Sequence, residues 1–295
     1  MTVGYTDAQK QRLREFGNGA VDGGGFEDLQ SRDSAFAKAL SRLAAENFKG
    51  VSAMIASPKR HGLTRLVSDI SDALVAEGFI EVRTPIIITK KDLADMTITE
   101  DKPLFKQVFW IDDKRALRPM LAPNLYAVMR ELRGFTDGPV KIFEAGPCFR
   151  RESHSGVHLE EFTMLNLVDM GPRGDPTEVL KGHIDAVMRA AGLPDYNLAR
   201  EESDVYRETI DVDIGGQEVC SAAVGPHHLD AVHGVNEPWS GAGFGLERLL
   251  MLREGYGTAR KGGASLSYLN GYRINRSPIQ GDFYEGEGRL GREWV

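Results

Sequence analysis

Residues 149–168 read FRRESHSGVHLEEFTMLNLV, and the fold and the chemistry of this chain hang on how that stretch is read. Successive strand residues point to opposite faces. Phe162, Met164, Asn166 and Val168 therefore share one face, with His158 and Glu160 at its entrance, while Thr163, Leu165 and Leu167 face the other way. The first face offers a ring, an amide and apolar walls. That is the make-up of a ligand floor, although a core face with one tolerated asparagine would read the same. A buried amide without a partner costs about 1–3 kcal/mol, so Asn166 needs a specific one. Ahead of the strand, Arg150 and Glu152 stand two apart. On a surface such a pair is worth little. At a site, the guanidinium forks onto phosphate oxygens and the carboxylate accepts from an amino group.

Working outward, VKIFEAGPCF supplies a strand before the polar turn. Gly215-Gly216 joins IDVDI to QEVCSAAV as a two-residue hairpin turn. WSGAGFGLERLLML reads as a strand running into a helix that ends by Gly255. Upstream, Leu63, Leu66, Val67, Ile70 and Leu74 recur at helical spacing over about His61 to Glu77, and Gly78 stands where a C-terminal cap belongs. FIEVRTPIII follows as a strand, with Pro85 marking an edge or a bend. QVFWI and RALRPML suggest a hairpin. A helix runs from about Pro123 to Leu132, and DPTEVLKGHIDAVMRAAG forms another. Residues 5–47 read as short polar helices broken by VDGGGFED, with Thr6 as a cap. The pattern is α+β, a largely antiparallel sheet flanked by helices.

Bulk properties narrow the classes. The chain has 295 residues, 41% hydrophobic and 27% charged, which suits a packed soluble protein of one or two domains. Its apolar runs are far shorter than the roughly 20 residues of a membrane span, and the polar start has no signal core. A net charge of −7 argues against coating nucleic acid through bulk charge. Cys148 and Cys220 form no CxxC pair, so no zinc cage or disulfide framework is expected and a cytoplasmic location is.

Two further constellations carry chemistry. Gly241, Gly243 and Gly245 alternate, leaving one strand face without side chains, so a flat ring can approach the backbone. Arg248 follows on the first helical turn and could cover that ring. On the Pro123 helix, Ala122, Leu125, Tyr126 and Met129 share a face, which is core unless it meets the strand bearing Asn166.

Together GFIEVRTP, FRRE with its strand, and GAGFGLERLL resemble, in order, motifs 1, 2 and 3 of class II aminoacyl-tRNA synthetases. LRPMLAPNLY, KIFEAGPCFRRES, HLEEFTMLN, SAAVGP and PWSGAGFGLERLL narrow the resemblance to the pyrrolysyl-tRNA synthetase family, in its compact form without a separate N-terminal tRNA-binding domain. The resemblance covers about Thr6 to Asn275. It implies the class II catalytic fold, with a helical segment over 1–50, the catalytic domain over 51–275 and a disordered tail over 276–295.

For the site, the resemblance implies that Arg150 holds the ATP α-phosphate and the substrate carboxylate. Glu152 would read the adenine amino group, Phe162 would stack on adenine, and Arg248 would cover it and reach the γ-phosphate. His158 would lie near the outer phosphates, and Glu218 and Ser221 would support Mg2+. Spaced three apart, those two face opposite ways on a regular strand, so a bulge is required. Asn166 would bond the side-chain carbonyl of the amino acid. Ala122, Leu125, Tyr126, Met129, Met164, Val168, Ser221, Ala223, Trp239 and Gly241 would line the pocket, with Tyr206 as its lid. The implied activity is ATP-dependent activation of pyrrolysine, an Nε-acylated lysine, and its transfer to the 3′ end of an amber-decoding tRNA. The implied enzyme is a cytoplasmic homodimer that needs no zinc, DNA or membrane. The alternatives are a paralogue that forms an adenylate but charges no tRNA, and a non-catalytic tRNA-binding paralogue.

Overall fold

The computed structural model describes residues 2–18, 24–151, 156, 158–203 and 205–275; Glu152 and the 276–295 tail lie outside them. The chain divides into residues 1–59 with 265–295, and residues 60–264. Both cuts fall inside the 51–275 segment assigned to catalysis from the sequence. No described helix is long and apolar enough to cross a membrane.

The smaller unit contains helix α1 (Asp7–Phe16) and helix α2 (Leu29–Ala56). Thr6 and Gln9 form a reciprocal capping box on α1, as expected of that threonine. Helix α2 runs well past residue 47, where the sequence reading ended the polar helices. Gly50 does not break it: a Cβ there would come within 2.0 Å of the Tyr272 ring, so the glycine makes room for packing. One turn earlier, Asn47 grips the backbone of Arg273, donating to its carbonyl at 2.8 Å and accepting from its N–H at 2.7 Å.

The larger unit begins with α3 (Gly62–Ala76), closed by Gly78 at φ +87°, where a glycine relieves left-handed strain. FIEVRTPIII is not one strand. It makes β1 (Ile80–Glu81) and β2 (Ile87–Thr89), separated around Pro85, which has no N–H to give a ladder. Short helices α4 (Lys90–Asp95) and α5 (Pro103–Gln107) follow, then β3 (Arg115–Leu117). The expected hairpin is reduced to a Trp110–Ala116 bridge, because β3 pairs with β2 instead. Helix α6 (Ala122–Arg133) carries Pro123 in its first turn. Strands β4 (Val140–Phe149) and β5 (Glu161–Met170), helix α7 (Pro176–Ala190) and strands β6 (Asn197–Ser203), β7 (Arg207–Ile214) and β8 (Gln217–Gly225) come next. The one-turn helix α8 (Asp230–His233), strand β9 (Trp239–Gly245) and helix α9 (Leu246–Glu254) end the unit.

Seven strands form one sheet in the order β1-β4-β5-β9-β8-β7-β6, antiparallel except for β1 beside β4. Leu165, Leu167 and Phe244 face helices α3, α7 and α9 in the main core with Leu66, Ile70 and Ile184. The opposite face packs Val168, Ala223 and Trp239 against Leu125, Tyr126 and Met129 of α6. The α6 face therefore meets the strand that bears Asn166, which was the condition for reading it as a pocket wall.

Candidate active site

Register aligns the three glycines of β9 with the proposed floor. Met164 pairs Gly245, Asn166 pairs Gly243 and Val168 pairs Gly241; across β9, Ser221 pairs Gly243 and Ala223 pairs Gly241. The glycine face thus lies between two rows of side chains. A Cβ at Gly243 would sit 3.1 Å from the Asn166 amide, and one at Gly241 would meet Val168, Trp239 and the Leu167 carbonyl. Glycine is needed there to keep the floor open.

Over this floor lies a cavity of about 430 Å³ including its mouth. Ala122, Leu125, Tyr126 and Met129 wall it from α6. Asn166 and Val168 come from β5, Ser221 and Ala223 from β8, and Trp239 and Gly241 from β9, while Tyr206 joins from the turn before β7. Met164, on the same strand face, lies outside this lining and packs with the second core. The structure adds Gly243, which sequence reading had assigned only to the bare glycine face. The Asn166 carbonyl oxygen is buried with no hydrogen-bond partner among the described residues.

The polar end lies further along the same strands. Arg150 donates from Nε to the Pro119 carbonyl at 2.8 Å, and its guanidinium stands 5.4 Å from the Phe162 ring centre. Arg248 donates to the Glu218 carbonyl at 3.0 Å and lies 3.8 Å from its carboxylate. Partial burial holds the Glu218 carboxyl above its ordinary range; Arg248 opposes this, Asp211 adds to it, and Arg150 and His158 are near enough to oppose it further. Arg150, His158 and Arg248 therefore lie near Glu218. The bulge demanded by the Glu218–Ser221 spacing is present: Asp213 pairs Glu218 but Val212 pairs Cys220, leaving Val219 as the extra residue. Val219 and Cys220 both enter the main core, and Ser221 turns to the cavity.

A domain model described as Phenylalanyl tRNA synthetase beta chain CLM domain matches residues 51–231. The phenylalanine–tRNA ligase alpha subunit of Streptococcus thermophilus is 25% identical over 232 residues, 68% of this chain and 64% of its own length. The chain thus spans under two thirds of that relative. The crystal structure of pyrrolysyl-tRNA synthetase from Desulfitobacterium hafniense is 45% identical with a TM-score of 0.85, covering 93% of this chain and 99% of that one. A second structure of a pyrrolysyl tRNA synthetase from that organism gives 43% and 0.83, covering 93% and 96%. The chain belongs to the pyrrolysyl-tRNA synthetase family.

This member of the pyrrolysyl-tRNA synthetase family also uses residues that sequence reading passed over. Arg118, 1% exposed, donates to Glu144 at 2.8 Å and to the Thr84 hydroxyl at 2.9 Å, and its Nε bonds the Pro147 carbonyl. That network holds the segment whose next residue, Pro119, aims Arg150. A Cβ on Gly146 would fall 2.3 Å from the Arg118 guanidinium, so the glycine in KIFEAGPCF is required. Glu247, 3% exposed, accepts the Thr163 N–H on both oxygens at 2.9 Å. Burial pushes its carboxyl up to about 7. The Thr163 N–H lies beyond the last residue of β9, so the side chain takes the place of the missing strand. Both polar residues sit in apolar-looking runs, and only their lack of a visible surface role in the sequence could have marked them.

Proposed function

We propose that this chain is a pyrrolysine–tRNA ligase. It would activate pyrrolysine, or a similar Nε-acylated lysine, with ATP and pass it to the 3′ end of an amber-decoding tRNA. One observation carries the reading: a mostly apolar cavity, where the buried Asn166 carbonyl has no partner among the described residues, shares β5 with Phe162, beside Arg150, and β8 with Glu218, beside Arg248. At roughly 3.3 Å per residue, Phe162 to Val168 spans about 20 Å. That suits a nucleotide at one end and a long side chain at the other.

The ligand's chemistry follows from what the cavity lacks. Among the described residues no aspartate or glutamate lines it, so a bare lysine ammonium would lose its hydration without a partner. An acylated lysine carries an amide or carbamate instead. Its N–H can satisfy the Asn166 oxygen, or its C=O can accept from the other half of that amide.

For the first step, the substrate carboxylate attacks the α-phosphorus and pyrophosphate leaves. The carboxylate is already ionised at neutral pH, so no protein base is needed. Arg150 would hold the carboxylate and the α-phosphate. Arg248 and His158 would meet the outer phosphates, and Phe162 with Arg248 would enclose the adenine. Their work is positioning and charge neutralisation. In the second step a ribose hydroxyl of the tRNA attacks the adenylate carbonyl and AMP leaves.

Magnesium is what the family implies, and the donors fit it. Among the described residues no group of three acidic, histidine or cysteine side chains could hold a metal alone. The bulge leaves Ser221 on the cavity face and Glu218 beside Arg248, so one hydroxyl and one carboxylate would serve the ion. Mg2+ commonly takes one or two carboxylates and completes its shell with phosphate oxygens and water. When bound it would neutralise phosphate charge.

A homodimer through residues 61–88 is part of the proposal. Val75, Ile80, Ile86 and Ile87 in that segment are 55%, 56%, 40% and 49% exposed, an apolar surface in need of cover. The test is ATP–pyrophosphate exchange with an Nε-carbamoyl lysine and with lysine, followed by acylation of a tRNA transcript. Exchange with the carbamate and charging of the tRNA are expected. Faster exchange with lysine would overturn the substrate assignment, and exchange without charging would leave an adenylate-forming paralogue.

A further inference from the structure

Asp230 opens α8, is 3% exposed and does not itself line the cavity. Its Oδ1 accepts from the Tyr126 hydroxyl at 2.9 Å. Its Oδ2 accepts from the Trp239 ring N–H at 2.9 Å and from the His227 backbone N–H at 2.5 Å. Tyr126 belongs to α6 and Trp239 to the start of β9, so one carboxylate ties two cavity walls together from behind. The rings meet edge-on, with centroids 6.0 Å apart at 84°, and Tyr206 approaches Trp239 at 6.2 Å. His233 stacks on Tyr126 at 4.2 Å and 10°, which fixes the ring plane.

An ionised carboxylate only accepts hydrogen bonds. It can therefore hold three donors and return none. Burial, followed by the neighbouring Tyr206 and Asp230, pushes the Tyr126 phenol far up, so that hydroxyl donates at any ordinary pH. Its proton is committed to Asp230, as is that of the Trp239 ring. A chain carrying a neutral amide at 230 could not hold all three donors, because one of its oxygens would be replaced by an N–H2 group facing them.

We propose that Asp230 is a specificity-determining positioning residue: by drawing the Tyr126 O–H and the Trp239 N–H out of the cavity, it keeps that wall free of donors and so selects an acyl-lysine with an apolar end group. This rests on the acyl-lysine reading above. Apolar pockets reject an added hydroxyl by up to about a hundredfold, so the effect is measurable.

The experiment is ATP–pyrophosphate exchange by the full chain with two Nε-carbamoyl lysines of matched size. One ends in an isobutyl group, and in the other a methyl of that group is replaced by hydroxyl. The unaltered protein is expected to prefer the alkyl end by about tenfold or more in kcat/KM. Asp230→Asn is expected to bring the ratio below about threefold, through KM for the amino acid, with KM for ATP unchanged. An unchanged ratio in folded Asp230→Asn would overturn the proposal. So would the absence of preference in the unaltered protein, a measurement that stands even if the variant does not fold. Exchange with neither carbamate would instead overturn the proposed function and this inference with it.

Discussion

Arg150 donates from Nε to a backbone carbonyl, that of Pro119, which orients its guanidinium beside the Phe162 ring. A guanidinium oriented in this way suits a fork onto phosphate oxygens. Removing it should cost roughly 3 kcal/mol of transition-state stabilisation, a hundredfold or more in rate. Arg150→Ala is expected to lose ATP–pyrophosphate exchange while circular dichroism and melting temperature stay near those of the parent. Glu247 gives a stability prediction. Burial raises its carboxyl from 4.5 to about 7 in the folded protein, so between those values the folded state binds more protons than the unfolded state. Its contribution is full below about pH 4.5, is lost as pH rises through 7, and is constant above. The loss is on the order of 3 kcal/mol. Glu247→Gln should remove that slope, and urea unfolding from pH 5 to 8 checks it. Asn166 was legible because alternation left a polar amide on an apolar face. Asp230 and Glu247 were not, because an aspartate before a short helix reads as a cap and a glutamate in a helix reads as solvated. Tyr126, which ties Asp230 to α6, and Thr163, which Glu247 holds, lie 104 and 84 residues away.

Among elements, the β8 bulge shows what a spacing can and cannot say. Glu218 and Ser221 could only cooperate if the strand broke its own period, and it does so at Val219. Glu218→Gln keeps the shape and removes the charge. It is expected to raise the magnesium needed for half-maximal exchange by about tenfold, with KM for the amino acid unchanged. A magnesium titration of exchange measures both. The Gly215-Gly216 turn was readable because both positions sit at positive φ, +62° and +85°, where glycine alone is unstrained. The break at Pro85 was harder to place. An apolar run either side of one proline can be a single edge strand or two short ones, and pairing partners decide which. The length of α2 was hidden for a similar reason, since Gly50 looks like a stop until Tyr272 is known to pack on it.

At the scale of the molecule, the apolar surface over residues 61–88 makes a prediction about assembly. Light scattering at micromolar concentration is expected to give a dimer, and Ile80→Glu with Ile87→Glu should give a monomer whose exchange activity falls. The architecture was legible because β5 and the glycines of β9 alternate clearly and a Gly-Gly turn marks the hairpin of β7 and β8. Their order in the sheet was not, because register is set by partners far apart in the chain. That order has a consequence for solubility. The sheet ends at β1, only two residues long, and at β6, where exposed Arg200, Glu201 and Glu202 follow one another. Between them, where β5 outruns β9, Glu247 covers the bare Thr163 amide. Short, charged or covered edges resist the addition of foreign strands. Copies of this chain crowded together in a cell should thus stay in solution and avoid stacking into fibrils, because none of these edges offers a long apolar row of unpaired backbone for a neighbour to extend.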